Sequence, residues 1–102
     1  MKVKISERAK NSRNQIVSYI LRTFGERAVL DFRKTYRDTK RFLAEHPESS
    51  PKEEHLSTDE FTYHFTYING LTKLVYRVDG EVVYIVDMWD VRKEPPTSIY
   101  ES

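Results

Sequence analysis

The fold of this chain is decided by residues 67–92, which read YINGLTKLVYRVDGEVVYIVDMWDVR. Two dipeptides typical of tight turns, Asn69-Gly70 and Asp79-Gly80, lie ten residues apart in this stretch. Each is flanked by runs of apolar and polar residues. Such spacing predicts three antiparallel strands joined by two-residue type I′ turns, with the first strand starting near residue 61.

Two-residue turns would fix the register of this meander, and therefore the face on which each side chain lies. Ile68 is expected opposite Leu71, and Leu74 opposite Ile85. One face is predicted to be apolar and to cover the rest of the chain; it comprises Phe61, Tyr63, Phe65, Leu74, Tyr76, Val83, Ile85 and Trp89. The other face is predicted to be mixed and open to solvent; it comprises His64, Thr66, Lys73, Arg77, Tyr84, Val86 and Met88, and Asp90 and Arg92 continue its alternation.

The N-terminal half predicts a short strand at residues 2–5 and two helices. Ser6 is suited to cap the first helix, and Gly25 to end it. The first helix carries an apolar stripe of Ala9, Ile16, Tyr19, Ile20 and Phe24, and the second, over about 26–45, one of Val29, Phe32, Tyr36, Thr39 and Leu43. The single-glycine link predicts an antiparallel helical hairpin. The fold class is therefore α+β, with an N-terminal short strand and a helical hairpin packed on a C-terminal antiparallel β-meander.

The chain length of 102 residues suits a single domain covering 1–102. Residues 46–60 are rich in proline, serine and acidic side chains, which predicts a flexible loop. Residues 95–102 form a C-terminal tail in which Pro95 and Pro96 disfavour a helix.

Composition excludes several classes of protein. The chain has no cysteine, so disulfide scaffolds and thiolate metal sites are excluded. Its three histidines, His46, His55 and His64, lie nine residues apart, unlike the ligands of a zinc site, and no metal or other cofactor is expected. No apolar run is long enough to span a membrane and no signal peptide is recognised, so a cytoplasmic location is expected.

Charge is distributed unevenly along the chain. Residues 1–50 contain 12 Lys or Arg against 6 Asp or Glu, a net charge of +6, and residues 51–102 contain 5 against 10, a net charge of −5. This asymmetry suggests a basic surface for an acidic partner, either nucleic acid or an acidic peptide. The alternative is two ordinary solvated faces.

Three segments carry a family resemblance: SYILRTFGERAVLDF at 18–32, FLAEHP at 42–47 and KLVYRVDGEVVYIVDMWDVRKEP at 73–95. With them, the chain resembles the toxins of bacterial type II toxin–antitoxin systems in the RelE/ParE superfamily. The resemblance implies the order β-α-α-β-β-β. It also implies an antitoxin whose C-terminal segment wraps the toxin in a hetero-oligomer, its acidic residues meeting the helical arginines.

Two activities are implied by this superfamily. RelE-like members enter the ribosome and cleave mRNA, whereas ParE-like members poison DNA gyrase and are not nucleases. By position, Lys73 lies where RelE-like toxins have an arginine in the sheet. His64 lies near the position at which those toxins have a lysine in a strand. Arg92 or Lys93 corresponds to their C-terminal basic cluster. Asp90 replaces a histidine found in many members. The residues expected to bind RNA or a partner are Arg13, Arg22, Arg33, Arg37, Arg41, Arg77 and Lys93.

The choice between these activities, and so whether the chain is an enzyme, stays open in the sequence. His64, Lys73 and Arg92 are the catalytic candidates if the chain is RelE-like. His64 and Lys73 are expected about 7–8 Å apart on one face, where they could share a phosphate. The acidic residues of the sheet half favour the ParE-like action on gyrase. A degenerate module that acts only as an interaction or repressor partner is the third alternative. Exposed Lys73 is expected to tolerate replacement by alanine.

Overall fold

The structure, a computed structural model, describes residues 1–92. Its elements are β1 (Lys2–Ile5), α1 (Glu7–Phe24), α2 (Glu26–Glu45), β2 (Tyr63–Ile68), β3 (Thr72–Asp79) and β4 (Val82–Asp90). This order confirms the predicted α+β class. Lys93 and the predicted tail at 95–102 lie outside the described residues.

Both ends of α1 are set by the residues that the sequence predicted. The Ser6 side chain accepts a hydrogen bond from Ala9 N at 2.9 Å and donates one to Val86 O at 2.8 Å, so the cap also ties α1 to β4. Gly25 has φ 92°, a backbone conformation that favours glycine, and α2 begins at the next residue. Within residues 1–92, neither helix is long and apolar enough to cross a membrane.

The sheet is mixed, with strand order β1-β4-β3-β2. β2, β3 and β4 form the predicted antiparallel meander. β1 pairs in parallel with the edge of β4, from Lys2 opposite Val82 to Ile5 opposite Ile85. The helical hairpin follows β1 and packs on one face of the sheet, where most of the core lies.

The register between β2 and β3 differs from the prediction by one residue. Ile68 lies opposite Thr72 rather than Leu71, because the connecting loop has three residues, Asn69, Gly70 and Leu71. Since side chains alternate along a strand, this shift exchanges the faces of β2. The predicted inward orientation of Tyr63 and Phe65 is therefore wrong, and both lie on the face away from the helices.

The register between β3 and β4 differs by two residues near the turn and changes again at a bulge. Val78 lies opposite Val83, whereas the predicted pairing of Leu74 with Ile85 would place it opposite Glu81; a shift of two residues preserves the faces. The register then slips at Val86, so residues beyond it exchange faces. Trp89 consequently lies on the outer face and Met88 in the core, the reverse of the prediction.

Two apolar clusters result, one on each face of the sheet. The core between the sheet and the helices comprises Ala9, Ile20, Phe32, Tyr36, Leu43, Ile68, Leu74, Tyr76, Val83, Ile85 and Met88. The smaller cluster on the other face, called the outer cluster, comprises buried Tyr63, Val75 and Val86 with partly buried Leu56, Phe61, Phe65, Tyr84 and Trp89. The outer face is therefore more apolar than expected.

Residues 51–61, called the strap, run beside β2 and cover part of the outer cluster. Lys52 forms an antiparallel bridge with His64, and Glu53 N donates to Tyr63 O at 2.7 Å. Phe65 N donates in turn to Pro51 O at 3.0 Å. These backbone hydrogen bonds attach the strap to the sheet. The flexibility of this segment remains a prediction.

Candidate functional site

The expected proximity of His64 and Lys73 is wrong. His64 lies opposite Tyr76, a core residue, whereas Lys73 lies opposite Tyr67, so the two side chains project from opposite faces of the sheet. The His64 ring stacks on Tyr76 with centroids 5.4 Å apart, and its Nδ1 lies 3.0 Å from Ser50 O. A phosphate shared by His64 and Lys73 is not compatible with this register. Their individual catalytic roles remain predictions.

Lys73 is held inside the outer cluster by an ion pair with Glu53 of the strap. The side chains of Lys73 and Glu53 are 20% and 7% exposed, so the pair is largely shielded from water. Lys73 Nζ also lies 4.3 Å from the centre of the Phe65 ring and 5.8 Å from that of Trp89. The lysine ammonium is therefore engaged within the chain.

Arg92 forms a two-point ion pair with Asp90, the residue that stands where a histidine was expected. The Nε–Oδ1 distance is 2.9 Å and the Nη2–Oδ2 distance is 2.6 Å. Hydrogen bonding to Asp90 and its negative charge raise the pKa of the Arg92 guanidinium. Arg92 is thus a permanently charged group beside a carboxylate, and its geometry differs from that of a free catalytic cation.

Arg77 shares the outer face with Lys73 and is engaged in the same way. Its Nε donates to both carboxylate oxygens of Asp79, at 3.1 and 2.9 Å, and its guanidinium lies over the rings of Phe61 and Tyr84. Burial acts to lower the pKa of Arg77, but hydrogen bonds with Asp79 and Tyr63 outweigh it and raise that pKa. Each sheet cation among Lys73, Arg77 and Arg92 therefore has a carboxylate partner.

An open groove of about 540 Å³ lies between α1, the β2–β3 loop and the end of β4. Its apolar lining includes Ile16, Ile20, Ala28 and Met88. Its rim carries Tyr19, Phe24 and Leu71, whose exposed fractions are 42%, 65% and 46%. Tyr19 and Phe24 belong to the stripe that the sequence assigned to the core, and contiguous exposed apolar surface of this kind marks interaction sites.

Asp87 is a buried carboxyl group in the lining of this groove. Ser12 Oγ on α1 donates a hydrogen bond to Asp87 Oδ1 at 2.6 Å, and Met88 N donates to the same oxygen at 2.7 Å. Burial raises the pKa of Asp87, and these donors together with the charge of Arg8 only partly oppose that effect. Met88 lies in the core, whereas Asp87 lies opposite Val75 of the outer cluster, yet its carboxylate reaches Ser12 on α1.

The helical arginines divide into two groups. Four cations surround a crevice of about 230 Å³ between α1 and α2: Arg13, Arg33, Arg37 and Lys40. Arg22 and Arg41 lie outside it, and Arg22 Nε donates to Ser18 O at 3.3 Å. Burial lowers the pKa of Lys40, and the charges of Arg13 and Arg37 lower it further. Three of the predicted binding arginines are thus brought together.

Some site residues were missed because no local pattern distinguishes them. Glu53 belongs to an acidic stretch in which any carboxylate could have met Lys73. Asp87 interrupts an apolar strand, but that local signal does not show that its partner is Ser12 on α1. Among residues 1–92, no group of three or more His, Asp or Glu side chains is arranged to hold a metal ion.

Comparison with known proteins identifies the family. A family model described as the ParE toxin of the type II toxin–antitoxin system, parDE, matches residues 3–95. A comparison with curated proteins finds no match to this chain. The family match covers both helices, all of β2, β3 and β4 and most of β1, and membership implies an antitoxin partner. The chain belongs to the ParE toxin family and is the toxin of a type II toxin–antitoxin system.

Proposed function

We propose that this toxin inhibits growth through a ParE-like action on DNA gyrase and does not cleave RNA. The observation that carries the proposal is the separation of the three catalytic candidates. Lys73 and Arg92 are each paired with a carboxylate, and His64 projects from the face opposite to Lys73. RNA cleavage by 2′-hydroxyl attack needs a base, an acid and a charge-stabilising cation around one phosphate.

The electrostatics of the outer face support the same proposal. Binding of mRNA and ribosomal RNA depends on phosphate contacts from Lys and Arg. Lys73 and Arg77 instead face Glu53 and Asp79, whose charges oppose that of an approaching phosphate. The family match to ParE toxins agrees with a target other than mRNA.

The groove beside α1 is the surface that we assign to the antitoxin. An amphipathic antitoxin segment would cover the exposed apolar rim of Tyr19, Phe24 and Leu71. A toxin–antitoxin hetero-oligomer follows from this assignment. Replacing Phe24 by Ser should weaken antitoxin binding without loss of stability, because its side chain is mostly exposed, and Leu30→Ser on α2 is the matched control outside the groove lining.

The activity is tested by inducing the toxin and mapping mRNA 5′ ends while plasmid supercoiling is measured. The expected result is unchanged mRNA ends with loss of gyrase-dependent supercoiling, both in cells and with purified gyrase, and recovery when the antitoxin is co-expressed. Cleavage within codons that is lost in Lys73→Met but retained in Arg41→Met would contradict the proposal. Both variants must first be shown to fold by circular dichroism.

A RelE-like ribonuclease is the second candidate. It is favoured by one arrangement: Lys73 and Arg77 share a face with the rings of Phe65, Tyr84 and Trp89, on which bases could stack. RNA would reach these rings only if the strap moved away from the outer face. A chain that neither cleaves mRNA nor affects supercoiling would instead be the non-toxic interaction partner.

A further inference from the structure

The crevice between α1 and α2 has the features of a binding site that the proposed function does not use. The side chains of Phe32 and Tyr36 contribute to its apolar lining, and their rings stack with centroids 6.3 Å apart. Arg13 reaches it from α1, and Arg33 and Arg37 lie one turn apart on α2. Two helices therefore direct positive charge to one concave surface.

This positive charge has little internal compensation. Among the described residues, none of those that line the crevice is acidic. Asp38 attracts Arg37 and Arg41 electrostatically. Its ion-pair partner, however, is Lys34, whose Nζ lies 3.0 Å from Asp38 Oδ2. Lys40 Nζ lies 4.5 Å from the centre of the Tyr36 ring. Cations gathered this closely repel one another unless an anion joins them.

The Tyr36 hydroxyl supplies an independent observation. Tyr36 is 6% exposed and lines the crevice, yet its hydroxyl has no hydrogen-bond partner among residues 1–92. Burial raises the pKa of Tyr36, and the Arg13 guanidinium beside its hydroxyl partly opposes that effect. Arginine can only donate, so the hydroxyl proton has no acceptor among residues 1–92. Buried hydroxyl groups nearly always have a partner. A donor is thus left at the crevice for a ligand with acceptor oxygens.

We propose that this crevice binds a phosphate group, with Arg13, Arg33 and Arg37 as its ligands and the Tyr36 hydroxyl as a further donor. Arginine presents several donors in a planar fork that matches phosphate oxygens. Four cations, with no carboxylate lining the crevice among residues 1–92, favour a multiply charged phosphate over the single charge of a carboxylate. The proposal is independent of whether the toxin acts on gyrase.

The test is isothermal titration of the full chain with pyrophosphate and, separately, with a short DNA duplex. Pyrophosphate should bind, and Tyr36→Phe and Arg37→Gln should each weaken that binding by about tenfold, because a hydrogen bond to a charged group is lost. Arg41→Gln removes the same charge from α2 outside the crevice and should change the affinity by less than about twofold. Because no residue among 1–92 accepts a hydrogen bond from the Tyr36 hydroxyl, the thermal unfolding of Tyr36→Phe should match that of the parent chain.

The two probes distinguish the source of the phosphate. Binding of the duplex that is lost in Tyr36→Phe assigns the crevice to a nucleic-acid backbone, whereas binding of pyrophosphate alone assigns it to a free phosphate compound. Equal losses in Arg37→Gln and Arg41→Gln would overturn the proposal, since they indicate a general effect of charge. Tighter binding of a glutamate-rich peptide than of either phosphate probe would also overturn it.

Discussion

The cations of the sheet and the cations of the helices have different surroundings, although both sets are lysines and arginines. On the sheet, each of three cations meets a carboxylate: Lys73 meets Glu53, Arg77 meets Asp79, and Arg92 meets Asp90. In the helical crevice, Arg13, Arg33, Arg37 and Lys40 surround a surface lined, within residues 1–92, by no carboxylate. The acidic half of the chain thus pairs these three cations with its own carboxylates, while the basic half gathers four cations around one crevice.

The difference teaches that residue type alone does not indicate a site. Lys73 was a catalytic candidate because it lies where RelE-like toxins have a sheet arginine, yet its charge is already paired with Glu53 inside the chain. Arg13, Arg33 and Arg37 belong to no sequence motif, yet they line one crevice with Tyr36, whose hydroxyl has no acceptor within residues 1–92. Four predictions, each built on one or two substitutions, examine this contrast.

The largest effect on stability is expected from Leu74→Ala, because Leu74 belongs to the core that packs the sheet against the helices. Leu74 is fully buried between the sheet and the helices, so its truncation should lower the free energy of unfolding by about 2–5 kcal/mol. Urea denaturation measures this loss. Leu30→Ala is the control, because Leu30 is 63% exposed and its truncation should change stability by less than about 0.5 kcal/mol. Similar losses in both variants would contradict the assigned core.

Lys73→Ala should destabilise the chain by about 1–3 kcal/mol, because it leaves the buried Glu53 carboxylate without its cation. The sequence-based expectation that this substitution is tolerated is therefore revised. Lys34→Ala breaks the pair with Asp38, whose side chains are 73% and 49% exposed, and should have a much smaller effect. Urea denaturation of both variants compares a shielded pair with a solvated one, and equal losses would mean that the strap does not shield Glu53.

Asp87→Asn should change the pH dependence of stability. Because burial raises the pKa of Asp87 in the folded chain, this group favours folding while it is protonated and that contribution is lost as pH rises through the folded pKa. Asparagine retains an oxygen that can accept from Ser12 and Met88. The variant should therefore exceed the parent chain in stability near neutral pH and approach it in acid. Urea denaturation from pH 4 to pH 8 tests this, and a constant difference would contradict it.

The smallest effect is expected from Arg33→Gln, which relieves repulsion in the crevice. It should raise stability by less than about 0.5 kcal/mol at low ionic strength, and salt should remove the gain. Arg92→Gln should lower stability, because it breaks the ion pair with Asp90. Thermal unfolding at low and high salt measures both signs. A change in stability of the same sign in both variants would contradict the contrast between the cations of the sheet and those of the helices.

Several features could be predicted because they depend on neighbouring residues. Ser6 and Gly25 mark helix boundaries through hydrogen bonds and backbone angles within a few positions, and α1 and α2 lie where these residues place them. The order of elements followed from apolar patterns and turn signals of the same local kind.

The orientation of the sheet side chains could not be predicted fully. A loop with one residue more than expected reversed the faces of β2, and a bulge at Val86 reversed those of Met88 and Trp89. Leu74 and Ile85 kept their predicted face because an even shift preserves alternation. The shared site of His64 and Lys73 failed for the same reason.

The sequence by itself determined the helices, the three-stranded meander, the charge of each half and the family. Only the tertiary structure decided that Glu53 meets Lys73, that Tyr19 and Phe24 border a groove, and that Arg13 joins Arg33 and Arg37 across two helices. The physical reason is the range of the interactions. Capping and periodicity act over a few residues, whereas these contacts join distant segments whose distance depends on every intervening turn and register.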